Sequence, residues 1–470
     1  NTFWNDLSTL NNYITRCQSF LQSGQPDNDI LIYYPIYDRW SVPSQSLLKH
    51  FHGEEEGVFV KNLSQNLLNL GYSFDFVSDK QISALSVKNN RIFASSSVYK
   101  TIIVPDTKLM PLSTFEALLK LAKYGVNVLF INDLPVSIPG FGFLEERQEK
   151  YNKVRNKIKF SIVDKSNFYR FKLGKGFFYK GTDIINLLSH ININAEPMVN
   201  DSLQFVKRKL DDGSALYFIV NRGKRSIDKW IKLNDSFSAI LYYNPMNGLY
   251  GKAATTKEGE VYVQLNTGDA CILQALSRDV SIDNFKYFEK NKNILFVKGS
   301  WNVKFIQGGP ELPATVVMDQ LKSWTDIDYE IYKRFSGKAV YTILLNNPNY
   351  DGAEAWLLDL GEVRESAEVF LNGKKIATCI KEPYHFIIDR DLLKETNLLE
   401  VHVSNLMANR ISYMDKEEIE WKKFHDINFP AKDRENIGND GLFNAGGWTL
   451  FKSGLIGPVK LIPLQLKFRN

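Results

Sequence analysis

A chain of 470 residues is too long for one hydrophobic core, so about three domains are expected. Hydrophobic residues make up 44% and charged residues 24%, the balance of an ordinary globular protein, and a net charge of +5 carried by scattered lysines excludes a basic nucleic-acid stripe. Three distant cysteines exclude a disulfide framework or a zinc spacing, and no apolar run approaches the ~18 residues of a membrane span.

The sequence starts at Asn1, as a processed secreted chain or a shortened one would. Phe3, Leu7, Leu10, Ile14, Cys17 and Leu21 recur at alternating spacings of four and three, which predicts a helix with one apolar stripe. Trp4, Tyr13 and Phe20 fall off that stripe and form a second apolar edge. Either the helix packs wholly on its own chain, or the edge around Phe3, Trp4 and Leu7 waits for further protein.

After the break "SGQPDN", the string "DILIYYP" reads as a buried strand. A helical stretch from about Glu54 ends at Gly71, and "YSFDFV" and "KTIIVPD" read as strands. "PLSTFEALLKLAKYG" opens on Pro111, places Leu112, Phe115, Leu118, Leu119 and Ala122 on one face and closes at Gly125. "VNVLFIND" completes a series whose apolar strands predict a doubly wound, flavodoxin-like (amidotransferase-like) parallel sheet over 25–160. Residues 161–194, charged and glycine-punctuated, read as a connector.

From about 195 the pattern changes to short strands, "LQFVKRKL", "SALYFIVNR", "DKWIKL", "SAILYYNP", "VYVQL" and "ACILQAL", which predict a small β-sandwich over 195–278. Residues 279–470 predict a larger jelly-roll sandwich, with Asn372-Gly373 as a type I′ hairpin turn.

No glycine-rich phosphate loop, GxGxxG, GxSxG elbow or amidotransferase Cys/His arrangement follows the parallel strands. Asp106 and Asp133 fit turn or capping roles. The pairs Glu54–Glu56, Glu145–Glu146 and Glu417–Glu418 read as solvated faces, because glycosidase chemistry needs two carboxyls on opposite sides of a sugar. His50 and His52 form a weak metal signal in "KHFHGEEEG". The strand-end loop "YYPIYDRWS" gathers Tyr34, Tyr37, Asp38, Arg39 and Trp40, types that stack on sugar faces and pair with hydroxyls, although an inter-domain contact uses the same types. Substrate contact is expected at Tyr34, Asp38, Arg39 and Trp40. Asn405, Arg410 and Trp448 are further candidates for carbohydrate contact or for sealing the sandwich.

The strings "NTFWNDLSTLNNYITRCQSFLQSG", "DILIYYPIYDRW", "GYSFDFVSD" and "TIIVPDTKLM" resemble the region after the barrel in glycoside hydrolase family 106, the α-L-rhamnosidases. "LDLGEVRESAEVFLNGKKIAT", "NLLEVHVSNLMANR" and "SGLIGPVKL" resemble that family's galactose-binding-like domain. The resemblance implies an inverting glycosidase of rhamnose-containing oligo- or polysaccharide, periplasmic or extracellular in bacteria, with calcium and with two catalytic glutamates in an N-terminal (α/β)8 barrel. Residues 1–24 resemble the last barrel helix, so no catalytic residue is assigned in this sequence. A non-catalytic carbohydrate-binding or scaffold protein is the alternative, and a degenerate amidotransferase-like enzyme a third. One departure from the family pattern is "FVKRK", where Lys207 stands in place of a histidine.

Overall fold

The computed structural model describes residues 2, 4–41, 58–163, 167–348, 350–422, 434–439 and 441–468. Phe3, His50, His52, Glu54, Glu56 and His425 lie outside them. The described residues form a multi-sheet, mostly β protein that divides into two compact units, Arg16–Phe285 and Asn1–Thr15 with Lys286–Asn470.

In the unit Arg16–Phe285, five parallel strands lie in the order Phe74–Val77, Ile30–Tyr33, Thr101–Val104, Asn127–Ile131 and Gly176–Gly181. Every residue of Ile30–Tyr33 and Thr101–Val104 is buried, as expected of strands covered on both faces. Helix Leu112–Lys123 covers one face with Phe115, Leu118 and Leu121, and helices Val58–Asn69 and Ile184–His190 supply Leu63, Leu67, Leu187 and Leu188 to the other core cluster. Three strands within the stretch expected to be a connector instead extend this sheet. Gly176–Gly181 is its fifth parallel strand, and Phe168–Leu173 and Ser161–Ile162 continue it antiparallel. Glycines at Gly174 and Gly176 permit the entry to that strand, since a Cβ on Gly176 would sit 2.3 Å from the Val126 carbonyl oxygen.

The same unit contains a six-stranded antiparallel sheet with Leu203–Lys209, Ala215–Asn221, Ala270–Leu276 and Ala239–Tyr243 at its centre. Ile227–Lys232 pairs with Glu260–Leu265 beside it. A small antiparallel meander over Ser86–Tyr99 went unread in the sequence; its first turn, Asn89-Asn90, has both residues at positive φ, 51° and 59°.

The other unit packs a five-stranded sheet, centred on Lys460–Leu466 and Ala355–Asp359, with a six-stranded sheet containing Trp301–Gly309, Ser336–Asn346, Thr396–Ser404 and Ser366–Leu371. Trp301, Trp324, Trp356, Phe335 and Tyr341 fill the core between them. The Trp324 indole donates to the Tyr341 hydroxyl at 2.6 Å, and that hydroxyl also accepts the Leu455 amide at 3.0 Å, so the buried polar edges are satisfied. The Asn372-Gly373 hairpin forms, with φ of 53° and 77°.

Helix Leu7–Leu21 follows a short 3-10 turn, Trp4–Asp6. Asp6 is buried and accepts from Ser366 Oγ at 2.5 Å, with Lys338 Nζ at 3.4 Å. Farther along, Arg16 donates to the Pro245 and Met246 carbonyls and Phe20 packs on Tyr243. Among the described residues of the predicted apolar stripe only Cys17 is fully buried, while Ile14 is exposed, and off the stripe Trp4 is 70% exposed.

Candidate functional site

The carboxyl ends of parallel strands are where ligands approach a doubly wound sheet. After Ile30–Tyr33, Pro35 ends the strand and the loop turns into the short helix Ile36–Ser41. The Asp38 carboxylate accepts the Lys108 amide at 2.8 Å and the Leu109 amide at 2.7 Å, so it braces the loop after Thr101–Val104. That loop is tied in turn to the loop after Asn127–Ile131, because the amides of Val136 and Ser137 both donate to the Lys108 carbonyl at 3.0 Å. Three successive strand ends thus form one backbone-linked rim.

Both Asp38 oxygens thus accept backbone amides, a bracing role that the sequence reading did not include. Arg39 donates to the Tyr34 hydroxyl at 3.2 Å, and the Tyr34 ring meets Phe76 edge-on. Trp40 packs edge-on against Tyr37 and remains 62% exposed. The rim also carries two rings that sequence reasoning missed. Phe141 is 93% and Phe143 84% exposed. Their loop is rigidly held: Arg147 donates to the carbonyls of Pro139, Gly140 and Gly142 at 2.8–3.0 Å, and Gln148 Oε1 accepts from Ser137 and Ile138. The string "PGFGFLEERQ" held the signal, two aromatics on a glycine loop ahead of a polar helix.

Asp106 and Asp133 lie at the same edge. Asp106 accepts from Asn132 at 2.9 Å. Burial works against the Asp133 charge, but the Leu134 amide and Lys180 at 3.0 Å outweigh it and hold the carboxyl below its ordinary value. Both are occupied in turns. Glu145, Glu146, Glu417 and Glu418 are exposed.

The candidates in the later sandwich separate. Asn405 is 1% exposed; its Oδ1 accepts the Gly337 amide at 2.9 Å and its Nδ2 donates to the Phe335 carbonyl and Ser453 Oγ, both at 3.0 Å. It is a core strut, correcting its placement on a ligand rim. The Arg410 guanidinium lies against Gly309, where an added Cβ would come within 2.6 Å of it. Trp448 is half-buried, donates to Asn436 Oδ1 at 2.9 Å and packs edge-on against Phe443 and Phe451. None of the three is hydrogen-bonded to another.

A second polar centre surrounds Lys207. Its ammonium lies 2.9 Å from Asp235, 3.3 Å from Asp27 and 3.5 Å from Glu196. The Tyr217 hydroxyl bonds both Asp235, at 2.7 Å, and Glu196, at 3.0 Å, and the Asn234 amide donates to the remaining Glu196 oxygen. Burial pushes the Glu196 carboxyl above its ordinary value against the pull of Lys207. Burial also works against the Asp235 and Lys207 charges, but Lys207 lowers Asp235, and Asp27, Asp235 and Glu196 together raise Lys207. Among the described residues, no group of three or more His, Cys, Asp or Glu is placed to hold a metal ion, and here the lysine ammonium takes the central place among the carboxylates. At this centre the described residues do not fit a calcium ion, because an ammonium already stands among the carboxylates.

The described residues thus combine a parallel sheet with several antiparallel ones and carry exposed aromatic rings on a braced rim. The α-L-rhamnosidase family model matches residues 1–237, and the chain belongs to that glycoside hydrolase family. The chain shares its fold with the rhamnosidase of Novosphingobium sp. PP1Y, at a TM-score of 0.73 and 21% identity over 98% of this chain and 41% of that one. It therefore spans well under half of that protein's length. A Formosa agariphila protein provisionally named a β-glucuronidase is 33% identical over 137 residues, 27% of this chain and 11% of its own. A β-galactosidase of Bacillus circulans sp. alkalophilus aligns at a TM-score of only 0.39, with 11% identity over 58% of this chain and 45% of that one. No described helix is long and apolar enough to cross a membrane.

Proposed function

We propose that these 470 residues are the accessory, carbohydrate-contacting part of an inverting α-L-rhamnosidase-like glycoside hydrolase acting on rhamnose-containing glycan outside the bacterial cytoplasm. In this reading the acid and base carboxyls belong to an (α/β)8 barrel outside this sequence, one protonating the leaving oxygen while the other activates water from the opposite face. The observation that carries it is the family match together with a fold shared along 98% of this chain but 41% of a rhamnosidase. The exposed Trp4 edge of the first helix supports further protein packing there.

The parallel strands, taken in chain order as 2-1-3-4-5 across the sheet, support a flavodoxin-like domain, here drawn from 25 through the strand ending at Gly181. The region 195–278 is read as the small sandwich and 279–470 as a galactose-binding-like jelly roll. Trp40, Phe141 and Phe143 offer flat apolar faces to sugar C–H surfaces, and Arg39 a planar donor fork. The purified chain should leave aryl α-L-rhamnosides intact. Turnover by this chain alone would place the carboxyl pair within it and overturn the reading. Glycan binding by a natural full-length protein that lacks any hydrolytic activity would favour a binding or scaffold role instead.

A further inference from the structure

A cavity of about 430 Å³ opens at the opposite, amino-terminal edge of the parallel sheet, where Asp27 and Asp29 precede Ile30–Tyr33 and Lys100 precedes Thr101–Val104. It is walled on the other side by Lys207 and Lys209 of the antiparallel sheet and by Asn234 and Asp235. The volume lies at the small end for ligand pockets, the scale of a single sugar ring rather than a nucleotide.

Its charges balance. Arg91, Lys100, Lys207 and Lys209 contribute four cations, and Asp27, Asp29, Glu196 and Asp235 four carboxylates. Lys100 is paired with Asp29 at 2.6 Å, and the Lys207 ammonium is held by the other three. An anionic ligand would face four carboxylates, and a cation would have to displace a buried ammonium. Tyr72, the aromatic residue of the lining, is buried, so no open ring face awaits a planar base.

What the cavity offers is a set of open hydrogen-bonding groups on a rigid frame. Asp235 uses Oδ2 for both Tyr217 and Lys207, and its Oδ1 has no partner among the described residues. The side chains of Arg91, Asn192, Asn194 and Lys209 likewise make no hydrogen bond among the described residues. Amides both donate and accept, a guanidinium donates in a planar fork and a carboxylate accepts. Mixed donors and acceptors lining one cavity suit vicinal hydroxyls, each of which donates and accepts at once.

We infer that this cavity is a binding site for a neutral polyhydroxylated ring of monosaccharide size, with Arg91, Asn192 and Asp235 contacting hydroxyls and Lys207 positioning Asp235. The inference goes beyond the proposed function, since it requires neither a barrel nor hydrolysis. It is tested on the full 470-residue chain by calorimetric and saturation-transfer titration with L-rhamnose, D-galactose, D-glucuronate and inorganic phosphate. At least one neutral sugar should bind saturably. Asn192→Gly, which keeps the left-handed backbone at φ 57°, and Arg91→Ala, both at exposed positions, should each weaken it about tenfold, the loss expected for a hydrogen bond to a sugar hydroxyl, with an unchanged melting temperature. Three outcomes would overturn the site: no saturable neutral-sugar binding, tighter binding of glucuronate or phosphate than of either neutral sugar, or sugar affinity unaltered in both variants.

Discussion

Lys207 and Tyr217 stand directly opposite one another on adjacent antiparallel strands, with the lysine ammonium 5.3 Å from the centre of the tyrosine ring. Both also reach the same two carboxylates, Glu196 and Asp235. Register alone brings the pair together, and their tips converge on acids supplied by two separate loops.

That convergence makes Lys207 costly to remove. Lys207→Met should destabilise the protein by about 3 kcal/mol at neutral pH, because it leaves the buried Glu196 and the partly exposed Asp27 and Asp235 without a counter-charge. The folded protein lowers Asp235 and raises Lys207, so their attraction is present above the ordinary Asp range and below the ordinary Lys range. It is lost as pH falls through the lowered Asp235 value. Glu196 runs the other way: its raised pKa means that its ionised form already costs stability above its ordinary value, and losing Lys207 enlarges that cost. Denaturation of both proteins across the acid range should show the gap narrowing as pH falls. A constant gap would mean that Lys207 acts through packing alone.

Asp38 and Trp40, two residues apart, should behave oppositely. Asp38→Ala strands the Lys108 and Leu109 amides and should cost about 1–3 kcal/mol in chemical denaturation. Trp40→Ala removes an exposed side chain and should change stability by no more than about 0.5 kcal/mol. If the proposed function holds, the Trp40 variant of the full-length enzyme should raise KM for an oligosaccharide. Wild-type kinetics with reduced stability would make Trp40 a structural contact.

Arg147→Ala should loosen the loop that presents Phe141 and Phe143, since three carbonyl contacts are lost together. Hydrogen exchange should rise across 136–143 while the central strand Asn127–Ile131 stays protected. Phe141→Ala, by contrast, should leave exchange unchanged and weaken only glycan retention. Equal exchange in the arginine variant and wild type would remove the argument for a braced rim.

Asn405→Ala should lower stability by about 2–6 kcal/mol, taking about 1–3 kcal/mol for each of the two buried backbone groups it strands, at Gly337 and Phe335. Glycan binding per folded molecule should be unaltered. Selective loss of binding with normal stability would restore the ligand-contact reading.

The sequence by itself determined the elements whose signals are local. Apolar runs such as Ile30–Tyr33 and Thr101–Val104 declare strands buried on both faces, and Asn372-Gly373 declares a hairpin because positive φ at two successive residues suits that pair. The ordered strings along the chain were enough to point to the rhamnosidase family. Tertiary structure decided what depends on partners distant in sequence. Gly176–Gly181 joined the parallel sheet because its edge met Asn127–Ile131, although its own composition read as a connector. Asp38 became a brace and Asn405 a strut because backbone groups some 70 residues away in sequence needed them. Lys207 could be noticed as an unusual residue, but not as the hub of Asp27, Glu196 and Asp235. A side chain's type sets which bonds it is able to make, while only the folded chain sets which partners come within reach and whether water remains to compete with them.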